Sequence, residues 1–294
     1  MRIKILLKKI NRKAIVVEFK KVKRMLWLAL MTVVGFYLTV LALLFFAQEQ
    51  FVYFPTMDID GTPKEVGVDY REVQLITRDQ ITLWAWWIEV PYARNTVLIC
   101  HGNAGNITHR LGKIEVFSKK LHCNTLIFDY RGYGRSKGSP SEHGTYRDVA
   151  AAWQFLITQG IPQEKIIVMG RSLGGPIAAY IASQHKPAAL ILESTFTSLP
   201  DLAQEVYPYF PSRFLTRIGY PTKKYLAQVK CPVLIVHSKD DDVIPFHHGQ
   251  ELFESAPEPK EFLEIKGNHN DGYLVSEEVY IPKLEKFLAK YAAK

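Results

Sequence analysis

The sequence predicts an α/β domain whose mostly parallel eight-stranded sheet carries a small cap and is preceded by one apolar helix. Three observations carry that prediction. From residue 95 onward, short β-branched runs alternate with helical patterns, and alternating β and α elements build a parallel sheet with helical crossovers. Several runs, such as "VLIC" and "VLIV", are apolar throughout, as strands are when helices cover both sheet faces. Finally, residues 25–47 carry no charge at all.

That last stretch, "MLWLALMTVVGFYLTVLALLFFA", holds 23 residues without Pro, Asn or Gln. At ~1.5 Å per residue it reaches across the ~30 Å hydrocarbon core of a bilayer. A cleaved leader has a shorter apolar run of about 7–15 residues and ends in small residues, whereas this one ends "LLFFAQEQF". Of the chain's 37 Lys/Arg and 29 Asp/Glu, ten bases and one acid precede residue 25, leaving 27 bases against 28 acids for the body. The formal charge of +8 is therefore a property of the tail, and nucleic acid is not expected as a partner of the body. Basic flanks stay on the cytoplasmic side, so residues 1–24 are expected in the cytoplasm and the body outside it. The expected organisation is a basic tail (1–24), a membrane span (25–47) and a globular domain (51–294) with a cap at 194–230.

Eight strands are expected at 70–77, 81–90, 95–100, 124–130, 165–170, 188–193, 232–238 and 260–266. The first two, separated by "RDQ", read as a hairpin. Helices are expected at 106–121, 141–159, 173–185, 246–256 and 276–292. The stretch 194–230 separates two strands by more than one helix needs. Its aromatics Tyr207, Tyr209, Phe210, Phe214 and Tyr220 either pack on the core or line a substrate pocket, and both readings stay open. Cys100, Cys123 and Cys231 are odd in number, lack metal-ligand spacing and lie in or beside apolar runs, so buried free thiols are expected.

The pattern Gly-x-Ser-x-Gly occurs twice, as "GRSKG" (134–138) and "GRSLG" (170–174). It marks a serine nucleophile where a strand turns sharply into a helix. Around Ser172, "EKIIVMG" supplies a strand and "LGGPIAAYIASQ" a small-residue helix. Ser136 is followed by Lys, Gly, Ser and Pro, which cannot open a helix, and reads as a surface-loop residue. A serine hydroxyl needs a base, and the base an orienting carboxylate; on this strand–helix architecture they follow as Ser, acid, His. Of nine histidines, His269 in "KGNHNDG" lies just past the last strand, where the base is expected. The acid is expected after the penultimate strand, in "HSKDDDVIP". Asp241 is the first choice, ahead of Asp242 and Asp240, and Glu193 is a rival one strand earlier. Oxyanion donors are expected from the N–H of Leu173 and from the loop "HGNAGN", at Asn103 before Ala104. The sequon at Asn106 is set aside because a glycan would crowd that loop. His247 and His248 open a helix, where surface roles suffice, so no metal or cofactor site is expected.

Together, "FPT" past the anchor, "HGNAGNITHRL", "FDYRGYGRSKGSPSE", "GRSLGG", "ESTFTSL", "HSKDDDVIPF" and "GNHND" resemble the membrane-anchored serine hydrolases of the α/β-hydrolase-domain type. The resemblance spans about residues 51–290. It implies the α/β-hydrolase fold, a Ser172–Asp241–His269 triad, and cofactor-free hydrolysis of an ester or thioester in a lipid, an acylated protein or a small molecule. It also implies that "DYRGYGRSKG" is a loop after the fourth strand without the nucleophile. One departure is Ser238, where the group usually has Gly. Peptide-bond cleavage, or a catalytically silent binding protein on the same fold, are the alternatives.

Overall fold

The computed structural model describes residues 2–292, so residue 1 of the expected tail and 293–294 of the expected domain lie outside the described residues. Two compact units divide between Gln48 and Glu49. The first is a single helix, α1 (Arg2–Phe46). It runs straight through the basic segment expected as a separate tail, because no Gly or Pro interrupts residues 2–34 and Lys, Arg and Leu are good helix formers. Its stretch Ala14–Phe46 has a mean hydropathy of 2.4 and is long and apolar enough to cross a membrane.

The second unit is built on a sheet of eight strands: β1 (Arg71–Ile76), β2 (Thr82–Ile88), β3 (Thr96–Cys100), β4 (Asn124–Phe128), β5 (Ile166–Arg171), β6 (Ala189–Glu193), β7 (Val233–Ser238) and β8 (Lys260–Ile265). Their order across the sheet is β8-β7-β6-β5-β3-β4-β2-β1. Only β2 runs against the others, pairing antiparallel with both β1 and β4. Every expected strand is present within two residues of its predicted limits. The unbroken apolar runs are explained by two cores. In β3, Leu98 and Cys100 face one core, while Val97 and Ile99 face the other. Burying one such aliphatic side chain stabilises the fold by about 1.5–3 kcal/mol. The edge strand β8 is mostly half-buried.

Crossovers are made by α2 (Leu111–Glu115), α3 (Glu142–Thr158) and α4 (Gly174–Gln184), and helices α8 (Phe246–Ser255) and α9 (Glu277–Tyr291) complete the layers. The helix expected over 106–121 is three joined pieces: a 3-10 turn at Ile107–Arg110, α2, and a π turn at Val116–Lys120. The cap is smaller than expected. It consists of α5 (Leu199–Val206) and α6 (Ser212–Leu215), while α7 (Thr222–Leu226) packs on α4 and belongs to the body. The aromatics divide accordingly. Tyr220 is fully buried, its hydroxyl 2.9 Å from those of Tyr53 and Thr145. Tyr209 and Phe214 are 89% and 87% exposed, so those two neither pack on the core nor line an enclosed pocket. All three cysteines are free and buried.

Candidate active site

β5 ends at Arg171 and α4 begins at Gly174, so the chain reverses across Ser172 and Leu173. Ser172 holds a left-handed φ of 53°, a conformation costly for a non-glycine residue that marks functional turns. Neighbouring strands hold it there. The Ser172 N–H donates to the Glu193 carbonyl at 3.0 Å, and its own carbonyl accepts from Gly175 N–H at 2.9 Å and Thr195 Oγ at 2.7 Å. The flanking glycines have no room for a side chain: a Cβ on Gly174 would lie 2.0 Å from the Cys100 carbonyl oxygen, and one on Gly170 would lie 2.3 Å from that of Gly174.

His269 follows β8 in a loop, and its Nε2 lies 3.1 Å from Ser172 Oγ. Its Nδ1 lies 3.0 and 2.9 Å from the two carboxylate oxygens of Asp241. An ionised carboxylate only accepts, so Nδ1 carries the proton and Nε2 is left to accept from the serine. Asp241 follows β7 and its side chain is fully buried. Burial works to raise its pKa, but hydrogen bonds from His269 and from the N–H groups of Ile244 and Val243 outweigh it and hold the carboxyl below its usual range. The other carboxylates do other jobs. Asp242 accepts the backbone N–H of His269 at 2.9 Å, Asp240 accepts that of Gly267 at 3.4 Å, and Glu193 is committed to a separate buried network. Ser238, the residue in place of Gly, joins the two loops by donating to the Gly267 carbonyl at 2.5 Å and accepting from Asp240 N–H at 3.1 Å.

The loop after β3 passes over Ser172, since a Cβ on Gly102 would stand 3.4 Å from Ser172 Cβ. Asn103 is pinned by its side chain, whose Oδ1 accepts from Tyr133 OH at 3.0 Å and from Phe54 N–H at 3.3 Å. Phe54–Pro55 also forms a two-residue parallel ladder with Ala104–Gly105, and the Thr56 carbonyl accepts from Gly134 N–H at 2.9 Å. "FPT" is thus a brace for the "HGNAGN" loop. Asn106 is fully buried, its amide donating to the Asp58 carbonyl at 2.6 Å and its Oδ1 accepting from Thr108 N–H at 2.9 Å. A glycan has no place there. Ala104 is tied through its carbonyl to Arg110.

Two expectations about side chains need correction. Ser136 is buried rather than on the surface. Its hydroxyl donates to the Asp129 carbonyl at 2.8 Å and accepts from Trp84 N–H at 2.8 Å, so it clamps the loop after β4 to β2. His248 is also buried, beneath an exposed His247. The structure adds a residue that the sequence reading missed. Arg171, inside "GRSLG", donates to the His269 carbonyl and, at 3.2 Å, to Asn270 Oδ1. Its Nε lies 3.4 Å from Glu193 Oε1. Glu193 in turn takes Lys113 Nζ at 2.7 Å and Tyr280 OH at 2.6 Å. Burial alone would raise the Glu193 pKa, but the two cations outweigh it and keep the carboxylate ionised. Nothing in sequence spacing links residue 171 to residue 269. The only cue was a charged residue between two small ones in an otherwise apolar segment.

Comparison with known proteins agrees with this fold. Residues 95–220 match the family described as the alpha/beta hydrolase fold. The chain is 35% identical over 278 residues to the Arabidopsis thaliana alpha/beta hydrolase domain-containing protein WAV2, covering 85% of this chain and 90% of that one. The chain belongs to the α/β-hydrolase family. Among other relatives of this hydrolase is protein bem46 of Schizosaccharomyces pombe, 40% identical over 193 residues, 63% of this chain and 64% of that one. Among solved structures, an esterase from Pyrococcus furiosus superimposes with a TM-score of 0.70 at 22% identity, covering 82% of this chain and 98% of that one. The hydrolase therefore shares an esterase-like fold.

Proposed function

We propose that this protein is a membrane-tethered serine hydrolase that cleaves ester or thioester bonds through an acyl-enzyme. The observation that carries the reading is the continuous chain of contacts from Ser172 Oγ through the His269 ring to Asp241. In this mechanism Ser172 attacks the substrate carbonyl while His269 Nε2 takes its proton. Asp241 holds the imidazole in the tautomer that can accept, and stabilises the imidazolium that forms. The N–H groups of Asn103 and Leu173 receive the developing oxyanion. The imidazolium then protonates the departing alkoxide or thiolate. Water, activated by the same ring, releases the acid and restores Ser172. No cofactor takes part in these steps.

Helix α1 supports tethering, with residues 1–24 in the cytoplasm and the hydrolase domain on the extracytoplasmic side. A tether favours substrates at the bilayer surface, such as a lysophospholipid or an acylated protein. The test is fluorophosphonate labelling of wild type, Ser172→Ala and Ser136→Ala. Only Ser172→Ala is expected to lose the label. Loss in Ser136→Ala alone would overturn the assignment, and a folded wild type that takes no label would mean a silent binding protein. Turnover of peptide amides in preference to esters would make it a peptidase. Protease protection of the body in sealed, oriented vesicles tests the topology.

A further inference from the structure

The cap helix α5 and the start of α8 bring together three side chains that catalysis does not use. Glu205 Oε1 lies 3.1 Å from His247 Nε2 and 3.4 Å from His248 Nε2. The three donor atoms all fall within 4.8 Å of one another. Zinc holds nitrogen and carboxylate ligands at about 2.0–2.2 Å, so adjacent ligand atoms of its tetrahedron stand about 3.3 Å apart. The two measured distances are edges of that size. His248 is 1% exposed, yet its Nε2 finds no hydrogen-bond partner among the described residues. A buried imidazole nitrogen left in that state is costly, and this one is aimed at the carboxylate.

The opposite nitrogen of the same ring is also engaged. Thr197 N–H donates to His248 Nδ1 at 3.3 Å, and Thr197 Oγ lies 3.0 Å from the same nitrogen. With Nδ1 accepting, the neutral ring carries its proton on Nε2, so an ion bound at Nε2 shifts the ring to its other tautomer, with the Nδ1 proton donated to the Thr197 hydroxyl. Glu205 and His247 are partly exposed, which gives an ion a way in and leaves a fourth position for water.

We propose that Glu205, His247 and His248 bind one divalent transition ion of the zinc type. Bound there, the ion staples the cap to the helix that follows the Asp241 loop. The adjacent histidines alone do not make the site, because the third ligand arrives from 42 residues upstream, and only the fold supplies it. Occupancy fixes the position of α5 relative to α8, and with it the opening between cap and acid loop.

The test uses full-length protein in detergent, free of any polyhistidine tag and stripped with a chelator. Zinc is titrated in competition with a chromogenic chelator. Wild type is expected to take up one zinc ion, and Glu205→Gln and His247→Ala each to weaken it at least tenfold. Both positions are exposed enough for the variants to fold, which their metal-free unfolding temperatures check. Zinc is also expected to slow proteolysis within 207–217 in wild type only. His269→Ala is expected to keep the zinc affinity. No saturable uptake, equal affinity in the Glu205 and His247 variants, or loss confined to His269→Ala would each overturn the proposal.

Discussion

Glu193 is the most demanding residue of the buried charge network, and replacing it with Gln gives a sharp test of how that network is balanced. One carboxylate serves two cations, Lys113 at 2.7 Å and Arg171 at 3.4 Å, and Glu193 and Lys113 side chains are 2% and 5% exposed. Glu193→Gln leaves both cations without a counter-charge. Breaking a buried pair from one side costs about 3–5 kcal/mol, which is about 10 °C of unfolding temperature in a body of this size. Lys113→Met removes one of two cations and leaves Glu193 with Arg171, so it is expected to cost less, about 1–3 kcal/mol. The double variant should recover part of the loss in Glu193→Gln, since only Arg171 then lacks a partner.

The pH dependence follows with a definite sign. Burial already lowers Lys113 to about 8, against the pull of Glu193. Without Glu193 its folded pKa falls further, while the unfolded chain keeps the lysine protonated. The unfolded state then binds more protons, so stability of the variant rises with pH over that window, and its deficit against wild type narrows toward pH 8. Thermal unfolding of the four proteins at pH 6, 7 and 8 measures all of this. A deficit below 1 kcal/mol in Glu193→Gln, a larger one in Lys113→Met, or strictly additive losses would refute the reasoning.

Three further outcomes are expected. Asp241→Asn should lower ester turnover by about 10³-fold or more, because the imidazole loses its correct tautomer. Asp240→Asn and Asp242→Asn should change turnover by less than about tenfold, since Asn still accepts the backbone N–H groups they receive; a largest defect at either would refute the assignment. Asp129 is pushed up to about 7 by burial, so ionising it opposes folding, and its cost grows from about pH 4 to 7, where it reaches about 4 kcal/mol. Asp129→Asn should therefore gain stability relative to wild type between pH 5 and 8; a constant difference across that range would count against it. Ser136→Ala should cost about 1–3 kcal/mol, the loss of two buried hydrogen bonds, with fluorophosphonate labelling unchanged. Wild-type stability in that variant would contradict the clamp.

The sheet was legible because apolar runs bounded by Gly and Pro are local signals. "NTVLIC", "KIIVMG" and "PVLIVHS" each became a strand close to its expected limits. That Ser172, Asp241 and His269 meet was legible because their order and positions after successive strands are also properties of the chain. What escaped depends on contacts between distant residues. Arg171 meets the His269 loop 98 residues away, and Phe54–Pro55 braces a loop 50 residues on. The extent of the cap was misjudged because Tyr220 is as aromatic as Tyr209, and only the hydroxyls of Tyr53 and Thr145 explain why one is buried. His248 was misread for the same reason: a polar residue at a helix start is usually exposed, and Thr197 and Glu205 come from elsewhere.

The two copies of Gly-Arg-Ser-x-Gly show how one pattern can serve opposite backbone needs. In 134–138 both glycines adopt left-handed φ, 51° at Gly134 and 84° at Gly138, while the serine does not. In 170–174 the assignment is inverted: the serine holds φ 53° and neither glycine is left-handed. The first pair of glycines supplies left-handed φ, which lets the loop curl and commits the Ser136 hydroxyl to two backbone groups, and at Gly134 a Cβ would also lie 2.1 Å from Asp129 Oδ2. The second pair is there for the absence of a side chain, which lets the turn press against the Cys100 carbonyl and α4. A hydroxyl already shared between a carbonyl and an N–H has no proton to hand to a base. The Ser172 hydroxyl faces the nitrogen of His269 instead. The proposed chemistry therefore follows from where the left-handed backbone conformation is placed, on glycines that adopt it freely or on the serine.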